Sequence, residues 1–110
     1  MTPSTPFRFE IGEPSTDEHG NKLTTVMCHG RLVYGCVNEI REKVRALIPL
    51  GGRIVIDLGD VNYLDSTGLG TLVSLKATAN KQGTCTLQFV NLSERIAELL
   101  RLMNLSQLLT

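Results

Sequence analysis

The chain has 110 residues, 42% of them hydrophobic and 20% charged, which suits one folded domain and leaves little length for a second core. Eleven Lys and Arg balance eleven Asp and Glu, so no net field draws in nucleic acid or an anionic membrane surface. Aromatics at 5% and the lack of Trp remove the usual stacking platform for single-stranded nucleic acid, and the apolar stretches fall well short of the roughly 20 residues that span a bilayer.

Residues 1–6 carry two Pro among Ser and Thr and read as a loose tail. They show no basic segment followed by an apolar run, so no secretory signal is expected. Phe7 to Ile11 alternates apolar and polar, the pattern of a half-buried strand. A polar turn over residues 12–22, with Gly20-Asn21 as its hairpin signal, joins it antiparallel to a second strand from Leu23 to His29, ending at Gly30. From Val37 the period changes. Val37, Ile40, Val44, Leu47 and Ile48 fall on one helical face, and Pro49 with Gly51-Gly52 ends that helix.

The continuous apolar run within Arg53–Leu58 predicts a strand covered on both faces. Residues 59–65 read as a connection, followed by a helix from Ser66 to about Gln82 with Gly83 as its stop. Thr84 to Val90 alternates as a strand. Ser93 caps a final helix buried through Ile96, Leu99, Leu100 and Met103; Asn104 closes it and leaves residues 105–110 to dock as a short last segment. The order β-β-α-β-α-β-α predicts an α/β domain over residues 7–110, with a small mixed sheet and helices crossing between parallel strands.

Three cysteines, Cys28, Cys36 and Cys85, are odd in number and lack C-x-x-C spacing, which reads as free thiols in a reducing cytoplasm. With His19 and His29 they form no ligand pairs at metal spacing, so neither a metal nor another cofactor is expected. Cys28 and His29 are adjacent on a strand and point to opposite faces, which rules out a nucleophile–base pair and leaves His29 a structural residue. Gly68-Leu69-Gly70 lacks the third glycine of a dinucleotide fingerprint, and no Walker lysine follows. No enzyme constellation remains, and the chain is not expected to be an enzyme.

The informative stretch is Tyr63-Leu64-Asp65-Ser66-Thr67-Gly68-Leu69-Gly70. Asp, Ser and Thr at a helix start can accept hydrogen bonds from its orphan N–H groups. Gly68 and Gly70 each cost roughly 1 kcal/mol of helix propensity relative to Ala, a cost more readily tolerated if something must approach the backbone. A phosphorylated hydroxyl here would carry about −1.5 to −2 charges beside the positive end of the helix dipole. An ordinary N-cap is the other reading of Ser66, and the local pattern does not separate the two.

Gly30-Arg31-Leu32, Ile54-Val55-Ile56-Asp57-Leu58 and above all the Asp65–Gly70 block resemble the STAS domains of bacterial anti-sigma-factor antagonists. The resemblance implies a right-handed βα superhelix and a part in partner switching in the cytoplasm. The unphosphorylated antagonist would bind an anti-sigma factor that is also a serine kinase, releasing a sigma factor. Phosphorylation at Ser66, with Thr67 as the lesser candidate, would end the interaction, and a phosphatase would restore it. ATP and magnesium would belong to the kinase. The partner surface implied comprises Asp65, Ser66, Thr67, Gly68, Leu69 and Gly70, with Val33 and Tyr34 from the loop after Gly30-Arg31-Leu32. Members of this group usually carry an acidic residue where Val33 stands, so a constitutive scaffold or ligand-sensing STAS module is the alternative. Oligomeric state stays open between monomer and weak dimer.

Overall fold

At Asp17 the chain reverses because one carboxylate gathers the turn. Its Oδ1 accepts the backbone N–H of His19 at 2.9 Å and of Asn21 at 2.8 Å, while Gly20 takes φ +81°, a left-handed conformation that glycine adopts freely. The structure, a computed structural model, describes residues 6–105. Along it run β1 (Arg8–Ile11), β2 (Ser15–Thr16), β3 (Lys22–Leu32), α1 (Asn38–Leu47), a 3-10 turn (Ile48–Leu50), β4 (Gly52–Leu64), α2 (Ser66–Gln82), β5 (Cys85–Val90) and α3 (Glu94–Leu102).

The sheet order is β1-β3-β4-β5, with β2 continuing the β1 edge of β3. β1 and β2 run antiparallel to β3, whereas β3, β4 and β5 are parallel, giving the mixed α/β sheet that the element order implies. Parallel neighbours need long crossovers, and α1 and α2 supply them.

One face of the sheet holds the core. Val26, Cys28 and Leu32 of β3, Ile54, Ile56 and Leu58 of β4, and Leu87 and Phe89 of β5 are buried. They meet Ile40 and Val44 of α1, Leu69, Leu72, Leu75 and Ala79 of α2, and Ile96 and Leu100 of α3 in one cluster. The expectation that β4 is covered on both faces is corrected. Its burial alternates, leaving Arg53, Val55 and Asp57 half-buried on the second face, where Arg53 Nε donates to Gln88 Oε1 at 2.8 Å. A polar pair across neighbouring strands marks a face that water reaches.

A second correction concerns residues 59–65. Instead of a connection, β4 continues to Leu64, paired with the end of β3. Its register on β3 shifts twice, between Met27 and His29 and again between Gly30 and Arg31. Such bulges accommodate extra residues on one strand while the ladder resumes beyond them. Gly59, Asp60 and Asn62 look like turn residues in sequence, yet here they serve the bulged strand. β3 likewise runs past Gly30 to Leu32; Gly30 sits at φ +91°, and a methyl group on it would lie 2.2 Å from the Pro6 carbonyl oxygen.

α3 ends as its sequence predicts, with Asn104 at φ +57°, the Asn104 N–H bonded to Arg101 O at 3.1 Å and the Leu105 N–H bonded to Leu100 O at 2.7 Å, a Schellman closure. Met103 does not join the buried stripe: it follows the last helical residue and is 49% exposed, and Leu99 is only half-buried. Of the expected tail only Pro6 is described, and of the expected last segment only Leu105; residues 1–5 and 106–110 lie outside the described residues. Among the described residues no helix is long and apolar enough to cross a membrane.

Candidate functional site

Parallel strands release their following loops on one edge of the sheet, so the segments after β3 and β4 meet there. Leu32 pairs with Leu64, and the N–H just past β4, that of Asp65, bonds the Leu32 carbonyl at 3.4 Å. Asp65 then leaves the strand in extended conformation and becomes the N-cap of α2. Its Oδ1 accepts the Gly68 N–H at 2.8 Å, and its Oδ2 accepts the Tyr34 N–H at 2.9 Å. One carboxylate therefore fixes both the helix start and the loop holding Val33 and Tyr34.

Those N–H groups, Gly68 first and Tyr34 next, hold the Asp65 carboxyl below its ordinary pKa of 3.8. A lowered folded-state value means that the bonds contribute fully above 3.8 and are lost as pH falls through the lower folded value.

Because Asp65 is the cap, Ser66 is not. It falls at the first helical position and is exposed, and among the described residues no hydrogen bond engages its hydroxyl. The capping reading of Ser66 is thereby corrected. Thr67 is half-buried, and its carbonyl accepts the Thr71 hydroxyl at 2.9 Å. Leu69 is buried at 3% exposure and roots the first turn in the core.

Gly68 and Gly70 part company. A methyl group at Gly68 would stand 2.1 Å from the Leu32 carbonyl oxygen, so this glycine lets α2 lie against the end of β3. Its place is a packing requirement and not one of access, which corrects half of the glycine expectation. Gly70 is exposed, with nothing within 4 Å of where its methyl would be.

Across the loop, the Cys36 N–H bonds Val33 O at 2.9 Å and Gly35 takes φ +89°, making a tight turn that leaves Tyr34 83% exposed and Val33 half-buried. Arg31 lies over the Tyr63 ring at 4.8 Å, a cation–π contact beside the same edge. Val33, Tyr34 and the residues from Asp65 to Gly70 thus come together, except that Leu69 and Gly68 face inward. The Asp65–Tyr34 bond and the Arg31–Tyr63 stack escaped sequence reasoning, since each joins residues about thirty positions apart that no local period relates.

The three cysteines are free thiols, with Cys28 and Cys85 buried. Burial, then the nearby Asp57 and Glu10 carboxylates, push Cys28 up to about 12, so it is no nucleophile near neutrality. His29 lies on the opposite face of β3 from Cys28.

Residues 17–110 match a protein family described as "Mlab, STAS domain". The anti-sigma-B factor antagonist of Bacillus subtilis (strain 168) is 40% identical over 70 residues, covering 64% of this chain and 63% of that protein. A STAS-domain containing protein of Pseudomonas aeruginosa (strain UCBPP-PA14) is 30% identical over 95 residues, covering 86% of this chain and 90% of that one. Among solved structures, the anti-sigma factor antagonist SpoIIAA in its unphosphorylated form superposes with a TM-score of 0.72 at 16% identity, covering 94% of this chain and 86% of that one. The phosphorylated form of the Bacillus protein gives 0.69 at 16% identity, with 94% and 89% covered. These likenesses show a shared fold.

Proposed function

As the chain belongs to the STAS-domain family, we propose that it is an anti-sigma-factor antagonist whose affinity for its partner is set by the phosphorylation state of Ser66. The supporting observation is the division of labour at the start of α2, where Asp65 caps the helix and leaves the Ser66 hydroxyl exposed and uncommitted. A kinase can take that hydroxyl without undoing a cap. The partner is an anti-sigma factor with serine-kinase activity that brings its own ATP and magnesium; a phosphatase resets the switch.

Phosphorylation introduces about −1.5 to −2 charges into the contact surface. The positive helix end favours that charge, while the ionised Asp65 next to it does not, so the helix tolerates the phosphate without hiding it. A docked partner without matching cations would have to bury it, which favours release. The relatives support this reading: one is an antagonist of an anti-sigma factor, and SpoIIAA is known in both unphosphorylated and phosphorylated forms.

Val33 favours a second reading, a constitutive interaction module that uses the same edge without a phosphate. The test is to capture partners from the source cell on the unmodified chain and to titrate the captured anti-sigma factor with wild type. Capture of a serine-kinase anti-sigma factor, with release of its sigma factor, is the expected result. Capture of a partner lacking kinase activity, with Ser66 unmodified, supports the second reading.

A further inference from the structure

Away from the Ser66 edge, the open face of the sheet carries a histidine held at both ring nitrogens. His29 of β3 is 20% exposed, and each ring nitrogen meets a carboxylate on a different strand. Nδ1 lies 2.6 Å from Asp60 Oδ2 of β4, and Nε2 lies 2.6 Å from Glu10 Oε1 of β1. An ionised carboxylate only accepts, so both contacts are hydrogen bonds at once only when both nitrogens carry a proton. That species is the imidazolium. A neutral ring has one N–H and one lone pair, and it must turn the lone pair toward a carboxylate.

We infer that His29 is a proton-gated clasp that fastens the edge strand β1 to β4 across β3. Charged groups from both neighbouring strands bear on the ring. Glu10 and Arg8 come from β1, with Arg8 Nη1 3.3 Å from Glu10 Oε2; Asp60 and Asp57 come from β4, Asp57 lining the same depression as His29. Asn91, after β5, lines that depression as a neutral group. The Asp60 and Glu10 bonds, in that order, raise His29 above its ordinary 6.5, against desolvation and the Arg8 charge. A raised folded-state value makes the clasp's contribution complete below 6.5 and lost as pH rises through the folded value.

Glu10 stands on a four-residue strand whose strand partner is β3, so β1 is the end that loosens. Phe7 and Phe9 still hold β1 against the core from the other face. Loss of the proton therefore relaxes the edge without unfolding the domain. Next to β1 in the sheet lies β3, with buried Cys28 opposite Phe9 in register. The proton thus decides how firmly the edge of a longer, more deeply buried strand is covered, and uncovered strand edges are sites of pairing with other chains.

The test is hydrogen–deuterium exchange of the whole chain at about pH 6 and about pH 8.5, bracketing the upper range of histidine titration. Protection of β1 amides is taken relative to β5 amides in the same sample, which cancels the intrinsic pH dependence of exchange. Relative β1 protection should fall about three- to five-fold at the higher pH, the scale of losing one ion pair between partly exposed groups. In Glu10→Gln a neutral His29 can donate to Asp60 and accept from the Gln amide, so the fall should vanish while the fold is kept. His29→Gln should likewise be flat. Constant relative protection in wild type, or an equal fall in Glu10→Gln, would overturn the clasp.

Discussion

At the start of α3 the serine is the cap: Ser93 is extended at φ −66° and ψ 159°, and its Oγ accepts the Ile96 N–H at 3.2 Å. At the start of α2 the cap is Asp65, and Ser66 lies one position later, where among the described residues no hydrogen bond engages its hydroxyl. Both helices begin near a serine on the surface. A shift of one residue in cap register makes one hydroxyl structural and leaves the other available. Availability is what a modification site needs, so it is the register, more than the residue type, that distinguishes the two.

The largest expected effect breaks the comparison by charge. Ser66→Asp should weaken binding of the cognate anti-sigma factor more than 100-fold, about 3 kcal/mol for an unpaired anion in an interface, with little change in melting temperature. Ser93→Asp replaces one good cap by another and should leave both binding and stability in place. Isothermal titration of both variants beside wild type checks the pair; equal losses would mean that the two helix starts are not distinct.

Next in size is the contrast between the glycines of the same turn. Gly68→Ala drives a methyl into the Leu32 carbonyl and should cost roughly 1–3 kcal/mol in urea unfolding. Gly70→Ala enters open space on the helix surface and should stabilise by up to about 1 kcal/mol. A loss at Gly70 as large as that at Gly68 would mean that the whole turn is packed.

Deleting the hydroxyls sharpens the comparison on a smaller scale. Ser93→Ala removes a cap and should cost about 1 kcal/mol, while Ser66→Ala should stay within about 0.5 kcal/mol in the same denaturation assay. The smallest expected change in stability, no more than about 0.5 kcal/mol, is that of Val33→Asp on the facing loop. If the missing carboxylate weakens engagement, that variant binds the kinase more tightly or is phosphorylated faster. Reduced binding would assign Val33 and Tyr34 to an apolar contact instead.

Some of this was legible in the chain itself. The limits of α2 follow from Asp65 and Ser66 at one end and Gly83 at the other, because caps and left-handed stops are local chemistry; Gly83 does take φ +71°. β4 was legible only to Leu58, since Gly59, Asp60 and Asn62 carry turn signals and the bulges that absorb them exist only against β3. Ile54-Val55-Ile56 looks like a strand buried on both sides, yet whether Val55 has a cover depends on where the helices lie. The motif placed Ser66 at the helix start. It could not show that Asp65 also holds Tyr34, or that Gly68 is reserved for the Leu32 carbonyl, because both are contacts between the ends of two parallel strands.

The central claim, that the cap register frees Ser66 for a switch, is tested most directly by one measurement. Wild-type chain bound to its captured anti-sigma kinase is given ATP and magnesium, and intact mass and peptide mapping follow the modification as the complex is monitored. The account predicts one phosphoryl group per chain, located on Ser66, appearing as the complex dissociates and absent from Ser66→Ala. Phosphate on Ser93 or Thr67, or a complex that persists with Ser66 fully phosphorylated, would contradict it.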